Sequence, residues 1–321
     1  MSARAQQAGP FRRFRSGPAA ALAAGTTAAC AARAAYAALS RRPPGGETRW
    51  TRTNHRGEPV TLLEGPALTV ASVAGSAIAP GLAPRVRAAL AVAGTGAAAF
   101  GGYDDLAGSG SRRGFRGHLG ALAQGEVTTG AVKLGGIGAT GLVSAMLLGG
   151  GPTDVAVNAG LVAGGANLLN LFDLRPGRAL KVALASGTLL AGGARSGRSP
   201  AGALPAVAAP LGAATALLPE DLGERAMLGD AGANALGALL GVAAATSLSR
   251  PARLVLLAAI TGLTAASEVV SFTAVIERTP ALRWLDMLGR RPVPAAPVPG
   301  RDDPPPAEPR EAGASAAATS Q

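Results

Sequence analysis

The chain has 321 residues, of which 48% are hydrophobic, 15% charged and 3% aromatic, with 46 glycines and a formal net charge of +11. A soluble domain usually carries about a quarter charged residues, so this composition excludes an ordinary water-exposed surface. So few aromatic rings leave little to stack on bases, which argues against a nucleic-acid partner. The single cysteine, Cys30, excludes an internal disulfide and a cysteine-based metal cluster.

Residues 1–15 form a basic segment, and "FRRFRSG" leads into the first apolar run. It resembles the start of a signal peptide, but the many runs that follow make it a retained anchor. Uncharged runs then cover 16–32, 65–84, 88–103, 134–153, 155–172, 199–219 and 231–249, with shorter ones at 182–194 and 254–267. A spanning helix needs about 20 mostly apolar residues. The runs therefore predict an all-α, polytopic membrane helix bundle over residues 16–291, with about nine transmembrane helices (roughly 8–10) and catalytic loops on one face. Small residues fill the runs, which allows close helix approach. Residues 292–321, rich in Pro and Ala, read as a disordered tail.

Alternation puts residues 41–64, 104–133, 173–181, 219–230 and 276–321 on one side. These segments hold Arg41, Arg42, Arg49, Arg52 and Arg56, then Arg112, Arg113, Arg116 and Lys133, then Arg175, Arg178 and Lys181. The opposite loops are short, so the basic side is expected to face the cytoplasm from the plasma membrane.

The acidic residues gather on that same side. Asp104 and Asp105 close the third run, Asp173 closes the fifth, and Asp230 opens the run at 231–249 in "GDAGANALG". Asn167 and Asn170, three apart, share one side of a helix. Any one of these is an ordinary membrane-edge charge. Together, carboxylates from three places beside amides and arginines are what a magnesium and diphosphate site requires, because Mg²⁺ prefers carboxylate and phosphate oxygens while Arg and Lys neutralise the remaining charge. Elsewhere, Glu268 falls inside the last run or at a helix break at its end. Trp284 with Leu282, Leu285 and Leu288 reads as an interfacial amphipathic helix, and His55 and His118 read as loop histidines.

The ordered blocks Asp104-Asp105, Asn167-x-x-Asn170-x-x-Asp173 and Gly229-Asp230-Ala231-Gly232 resemble the polyprenyl-phosphate N-acetylhexosamine-1-phosphate transferases. That family includes the enzyme making the first lipid-linked peptidoglycan precursor. The resemblance covers about residues 40–290 and, more loosely, "TNHRGEPVTLLEG". It implies attack of a polyprenyl phosphate on the β-phosphate of a UDP-sugar, releasing UMP, with Mg²⁺ as cofactor and a homodimer as the common assembly. Carried over, Asp230 ligates the metal, and Asp104 and Asp105 hold or deprotonate the lipid phosphate and help place the metal. Asn167, Asn170 and Asp173 organise the nucleotide and its diphosphate, and Lys133 matches a basic residue of the family. The chain departs from the pattern after Asp173, where Leu174-Arg175-Pro176-Gly177 replaces a second carboxylate motif. It also has no histidine-rich motif near the end of the domain, and arginines (Arg112, Arg113 or Arg116) stand in for a lysine after the Asp pair. Those departures keep a second reading open, a catalytically silent relative that binds the lipid carrier or envelope partners. A third, a small-solute transporter, is disfavoured by carboxylates at helix ends and not at midplane breaks.

Overall fold

The computed structural model describes residues 17–108, 117, 120–121, 123–195 and 203–292. Backbone contacts divide the chain into Met1–Arg290 and Arg291–Gln321, and every element below belongs to the first unit. It contains α1 (Pro18–Arg41), β1 (Thr51–Thr53), β2 (Pro59–Thr61), α2 (Glu64–Ile78), α3 (Pro84–Ala107), α4 (Thr129–Leu148) and α5 (Pro152–Phe172). These are followed by α6 (Arg178–Arg195), α7 (Ala203–Leu222), α8 (Gly229–Ser247), α9 (Arg250–Ser267), α10 (Phe272–Arg278) and α11 (Pro280–Met287). The protein is mostly helical, and nine long helices, α1 to α9, occupy the nine uncharged runs.

Three helices, α4, α5 and α7, are long and apolar enough to cross a membrane. Joined across a 94° bend, α9 and α10 qualify together as a fourth. In the other long helices, charged residues, short length or the low hydropathy of Ala and Gly keep the average down. The packing nevertheless inverts the usual order of a soluble protein. Alanines such as Ala28, Ala67, Ala93, Ala206, Ala213 and Ala238 are fully buried, while Leu22, Ile78, Leu142, Met146, Leu189 and Val255 face outward. Large apolar side chains on the outside and small ones between helices suit a lipid solvent, in which helix association depends on close packing.

One sequence expectation is corrected. The fold is not purely helical, because β1 and β2 pair antiparallel with Thr51 opposite Thr61 and Arg52 opposite Val60. The turn is made by Asn54, whose Oδ1 accepts from the amides of Arg56 and Glu58, and by Gly57 at φ +83. This side-chain turn chemistry was visible in "TNHRGE". Helix α3 ends at Ala107, so Asp104 and Asp105 lie at its C-terminal end, as expected.

Helix α8 is the axis of the bundle. It is buried along nearly its whole length and packs against α2, α3, α5, α6 and α7. A stripe of bulky residues would hold these neighbours apart, and close backbone approach replaces it. A Cβ on Gly101 would lie 2.3 Å from the Asp230 carbonyl oxygen, and one on Gly65 would lie 2.3 Å from that of Leu228. By contrast, Gly138 on α4 is exposed and has nothing within 4 Å of its Cβ position. Overpacking of a tight core costs about 1–3 kcal/mol. Gly101→Ala is therefore expected to lower the unfolding temperature in detergent clearly, and Gly138→Ala to leave it unchanged or slightly raised.

Candidate functional site

Helix α8 begins at Gly229, held at φ +62, and its N-cap, Leu228, offers no side-chain acceptor. The first-turn amides of such a helix need partners from elsewhere. A carboxylate from another helix supplies two of them: Asp105 accepts from the Asp230 amide at Oδ1 (3.0 Å) and from the Ala231 amide at Oδ2 (2.9 Å). Asp173, just past the end of α5, is buried beside this helix start. Negative charge at a helix N-terminus is also favoured by the helix dipole. Asp105 reaches this position because Gly101, one turn earlier, lets α3 lie directly on α8.

With its amide so fixed, Asp230 turns its side chain to Lys133, near the start of α4. The Lys133 ammonium bridges Asp230 (2.6 Å) and Asp104 (2.7 Å), and all three side chains are mostly shielded from solvent. One cation therefore sits between two carboxylates from different helices, with Asp105 behind them. The hairpin closes this end of the bundle: Arg52 donates to the Asp105 carbonyl, and Thr61 exchanges backbone hydrogen bonds with the loop between α7 and α8. In that loop Glu224, at φ +56, is held by Asn54 and Arg56 (both 3.0 Å).

Two cavities flank the cluster. One, about 510 Å³, runs between α4, α5, α8 and α9. Its polar end carries Lys133, Asn167, Asn234 and Glu268, and the rest is apolar, with Leu134, Ile137, Leu257 and Ile260. Asn167 donates to Thr264, and Asn234 donates to the Asp230 carbonyl. The other, about 200 Å³, lies between the hairpin and the loops after α5 and α7, and includes His55, Asp173, Arg175, Asp221 and Glu224. Burial, with the charges of Asp221, Asp230 and Asp105, pushes the Asp173 carboxyl well above the usual carboxylate range, against the pull of the Gly229 amide. Burial also lowers the His55 pKa, the pull of Glu224 being opposed by Arg175, Arg290 and Arg56.

The segment after α9 is latched beside Asp173. The chain breaks at Glu268, turns into α10, and Phe272 stacks on Phe172 with centroids 5.2 Å apart. Asp286 of α11 takes two hydrogen bonds from Arg178 (2.7 and 3.2 Å) and one from Arg290 (2.7 Å). Arg178 also reaches Thr273, and Lys181 caps the carbonyls of Leu285 and Asp286. Burial opposes the charge on Asp286, but the Arg178 hydrogen bonds and the charges of Arg178, Arg290 and Lys181 outweigh it and hold the carboxyl below its ordinary pKa. Leu282, Trp284 and Leu285 of α11 and Leu288 just after it are exposed, while Asp286 is buried.

The structure thus brings Asp104, Asp105, Lys133, Asp173 and Asp230 to one helix end. Asn167 lies on the apolar groove beside them, and Arg175 lines the separate small cavity. Asn170 is half-buried on α5 with no side-chain hydrogen bond among the described residues, and Arg116, Arg112, Arg113 and His118 lie outside those residues. Asp105, expected at the metal, commits both oxygens to α8. Sequence reading missed Arg52, Asn234 and Glu64. Asn234 was findable, four residues after Asp230 and so on its face. Glu64 is fully buried with no hydrogen-bond partner for either oxygen among the described residues, and nothing in "TLLEGPAL" signals that.

Mg²⁺ is commonly held by one or two carboxylates together with substrate phosphates and water. Asp104 and Asp230, converging on one point from two helices, supply that donor set. Among the described residues no group of three or more acidic, His or Cys side chains forms a complete protein cage. A scan against models of protein families finds no match for this chain, and a search of the curated proteins finds none either.

Two outcomes follow from this geometry. Asp105→Ala strips the acceptors from two α8 amides and is expected to cost about 1–3 kcal/mol, read as a lower unfolding temperature, while Asp104→Asn leaves that temperature nearly unchanged. For the latch, a depressed Asp286 pKa means a contribution fully present at neutral pH and lost as pH falls through the lowered value, below about pH 4. In a Trp50→Phe background, Trp284 fluorescence should change only at that acid limb, and Asp286→Asn should show the change already at pH 7.

Proposed function

We propose that this chain is a membrane-embedded transferase that moves a sugar-1-phosphate, of the N-acetylhexosamine class, from a UDP-sugar to a polyprenyl phosphate and releases UMP. The observation that carries the reading is the junction of two unlike surfaces at Lys133. On one side stand the carboxylates of Asp104 and Asp230, and on the other begins the 510 Å³ groove, polar at its mouth and apolar along its length. A phosphorylated isoprenoid has that same division, a charged head on a long apolar tail. The three motif blocks in family order support the same reading, with nine helices spanning the plasma membrane and the carboxylate end facing the cytoplasm.

Phosphoryl transfer depends mostly on positioning and charge neutralisation. Lys133 and the arginines of this end offset phosphate charge. Asp104, whose oxygens are not tied to the backbone clamp, is the group able to take a proton from the attacking lipid phosphate. Asn167 and Asn234 offer amides at the groove mouth. Asp230 and Asp104 would hold Mg²⁺, which when bound neutralises the diphosphate and the leaving UMP. Asp105 keeps Asp230 aimed by holding the α8 amides.

One observation favours the silent relative. The Asp105 carboxylate is engaged in structure, and those of Asp104 and Asp230 are neutralised by Lys133. The two readings separate in an exchange assay on purified protein with polyprenyl phosphate and Mg²⁺, in which labelled UMP is incubated with a panel of UDP-sugars. The transferase predicts label in one UDP-sugar only when lipid is present, with at least a hundredfold loss in Asp230→Asn. Folded protein that exchanges none of the panel is the silent relative.

A further inference from the structure

The end of the bundle away from the carboxylates holds a second polar cavity, of about 360 Å³, that the transferase reading does not use. From Arg85 to Asp105 the chain climbs about 30 Å along α3, so the two sites lie at opposite ends of the helices. The cavity is lined by the first turns of α3, α5 and α9, the end of α4 and Thr246 near the end of α8, and its charged and amide side chains are Arg85, Asp154, Asn158 and Arg253.

Arg253 is fixed there. Its Nη1 donates to Asn158, itself buried, at 2.6 Å, and its Nη2 donates to Asp154 at 2.9 Å, while its Nε is shielded from solvent and has no partner. Pinned by these two partners, the Arg253 guanidinium holds a fixed positive charge at the cavity, with donor capacity beyond the two bonds it makes. Arg85 stands at the same cavity, exposed and with no carboxylate partner among the described residues. Arg250, 3.8 Å from Asp154, adds a further positive charge nearby. The backbone adds to this field. The N-caps of α3, α5 and α9 (Ala83, Gly151 and Ser249) supply no side-chain acceptor, and of the three first turns only that of α5 carries an acid, Asp154, so the starts of α3 and α9 add positive field to this side. Asp154 is the only acid at the cavity among the described residues, and Arg253 already occupies it.

We infer that this cavity binds a phosphate group, carried either by a free phosphate or by the head of a lipid in the adjoining leaflet. Arg253 and Arg85 are the gripping residues, and Asp154 and Asn158 position Arg253. The inference is independent of the transferase reading and uses none of its residues.

The test compares wild type, Arg85→Gln and Asp230→Asn in a neutral detergent and chloride buffer, following thermal stability on titration with three probes. The probes are inorganic phosphate, short-chain phosphatidylglycerol and the matching phosphate-free diacylglycerol. Arg85 is exposed and makes no side-chain hydrogen bond or ion pair among the described residues, so its variant is expected to fold, whereas Arg253→Gln would also cut the tie between α5 and α9. The expected result is saturable stabilisation of wild type by a phosphate-bearing probe but not by diacylglycerol. Half-saturation should move at least tenfold higher in Arg85→Gln and stay unchanged in Asp230→Asn. Response to inorganic phosphate alone identifies a free anion as sufficient, and response only to phosphatidylglycerol identifies a lipid headgroup. No response in wild type, an equal response in Arg85→Gln, equal stabilisation by diacylglycerol, or loss in Asp230→Asn in place of Arg85→Gln would each overturn it.

Discussion

An acidic side chain borrowed from a neighbouring helix holds the amide end of α8, and the placement of every other polar group at that end follows from this contact. A buried helix that starts without a cap of its own would leave first-turn donors unpaired, at about 1–3 kcal/mol each. Asp105 removes that cost for two of them and in doing so ties α3 to α8. The same device recurs one loop away. Asp221, buried at the end of α7, accepts from the Gly177 amide just before α6 (3.0 Å). The loops at this end are thereby joined through carboxylate-to-amide bonds, which need no large side chains and so suit a bundle whose helices meet through Ala and Gly.

Such a bundle has two electrostatically different ends. Helices α3 and α5 run toward the carboxylate end, and α8 starts there. At the far end, where α3, α5 and α9 begin, Asp154 is the one first-turn acid among the described residues and arginines collect. Each end then presents helix starts, but the carboxylates that match them gather at one. The contrast arises from where Asp and Arg fall along a nearly charge-free sequence, since the helices between are interchangeable Ala-rich rods.

That uniformity sets what the sequence reveals. Positions of charge were legible, so Asp104, Asp105, Lys133, Asp173 and Asp230 could be placed at one end from the runs between them. Pairing was not. Adjacent helical residues point about 100° apart, so the Asp104-Asp105 dipeptide splits: one side chain faces Lys133 and the other faces the α8 amides. A motif read as two equivalent acids is two different devices. The central place of α8 was hidden for a related reason, because an Ala/Gly run reads alike whether it faces lipid or five helices. Hydropathy alone therefore supports three to four spans where the described residues form nine long helices. The hairpin escaped because its order comes from the Asn54 side chain and its docking on residues 225–227, over 160 positions away.

Lys133 is where structure and chemistry meet. Two carboxylates this close and this shielded repel one another, and a cation between them offsets that repulsion. A flexible ammonium is suited to that task, since it is a compact charge on a long stem and can follow either acid. It also belongs to the mouth of the apolar groove, so an entering phosphate and the two aspartates address the same cation. Any ligand that draws Lys133 away raises the demand for positive charge at Asp104 and Asp230, and any cation bound there frees Lys133 to meet a phosphate. On the proposed transferase reading, a metal and a lipid phosphate would favour each other's binding through the one lysine shared between them.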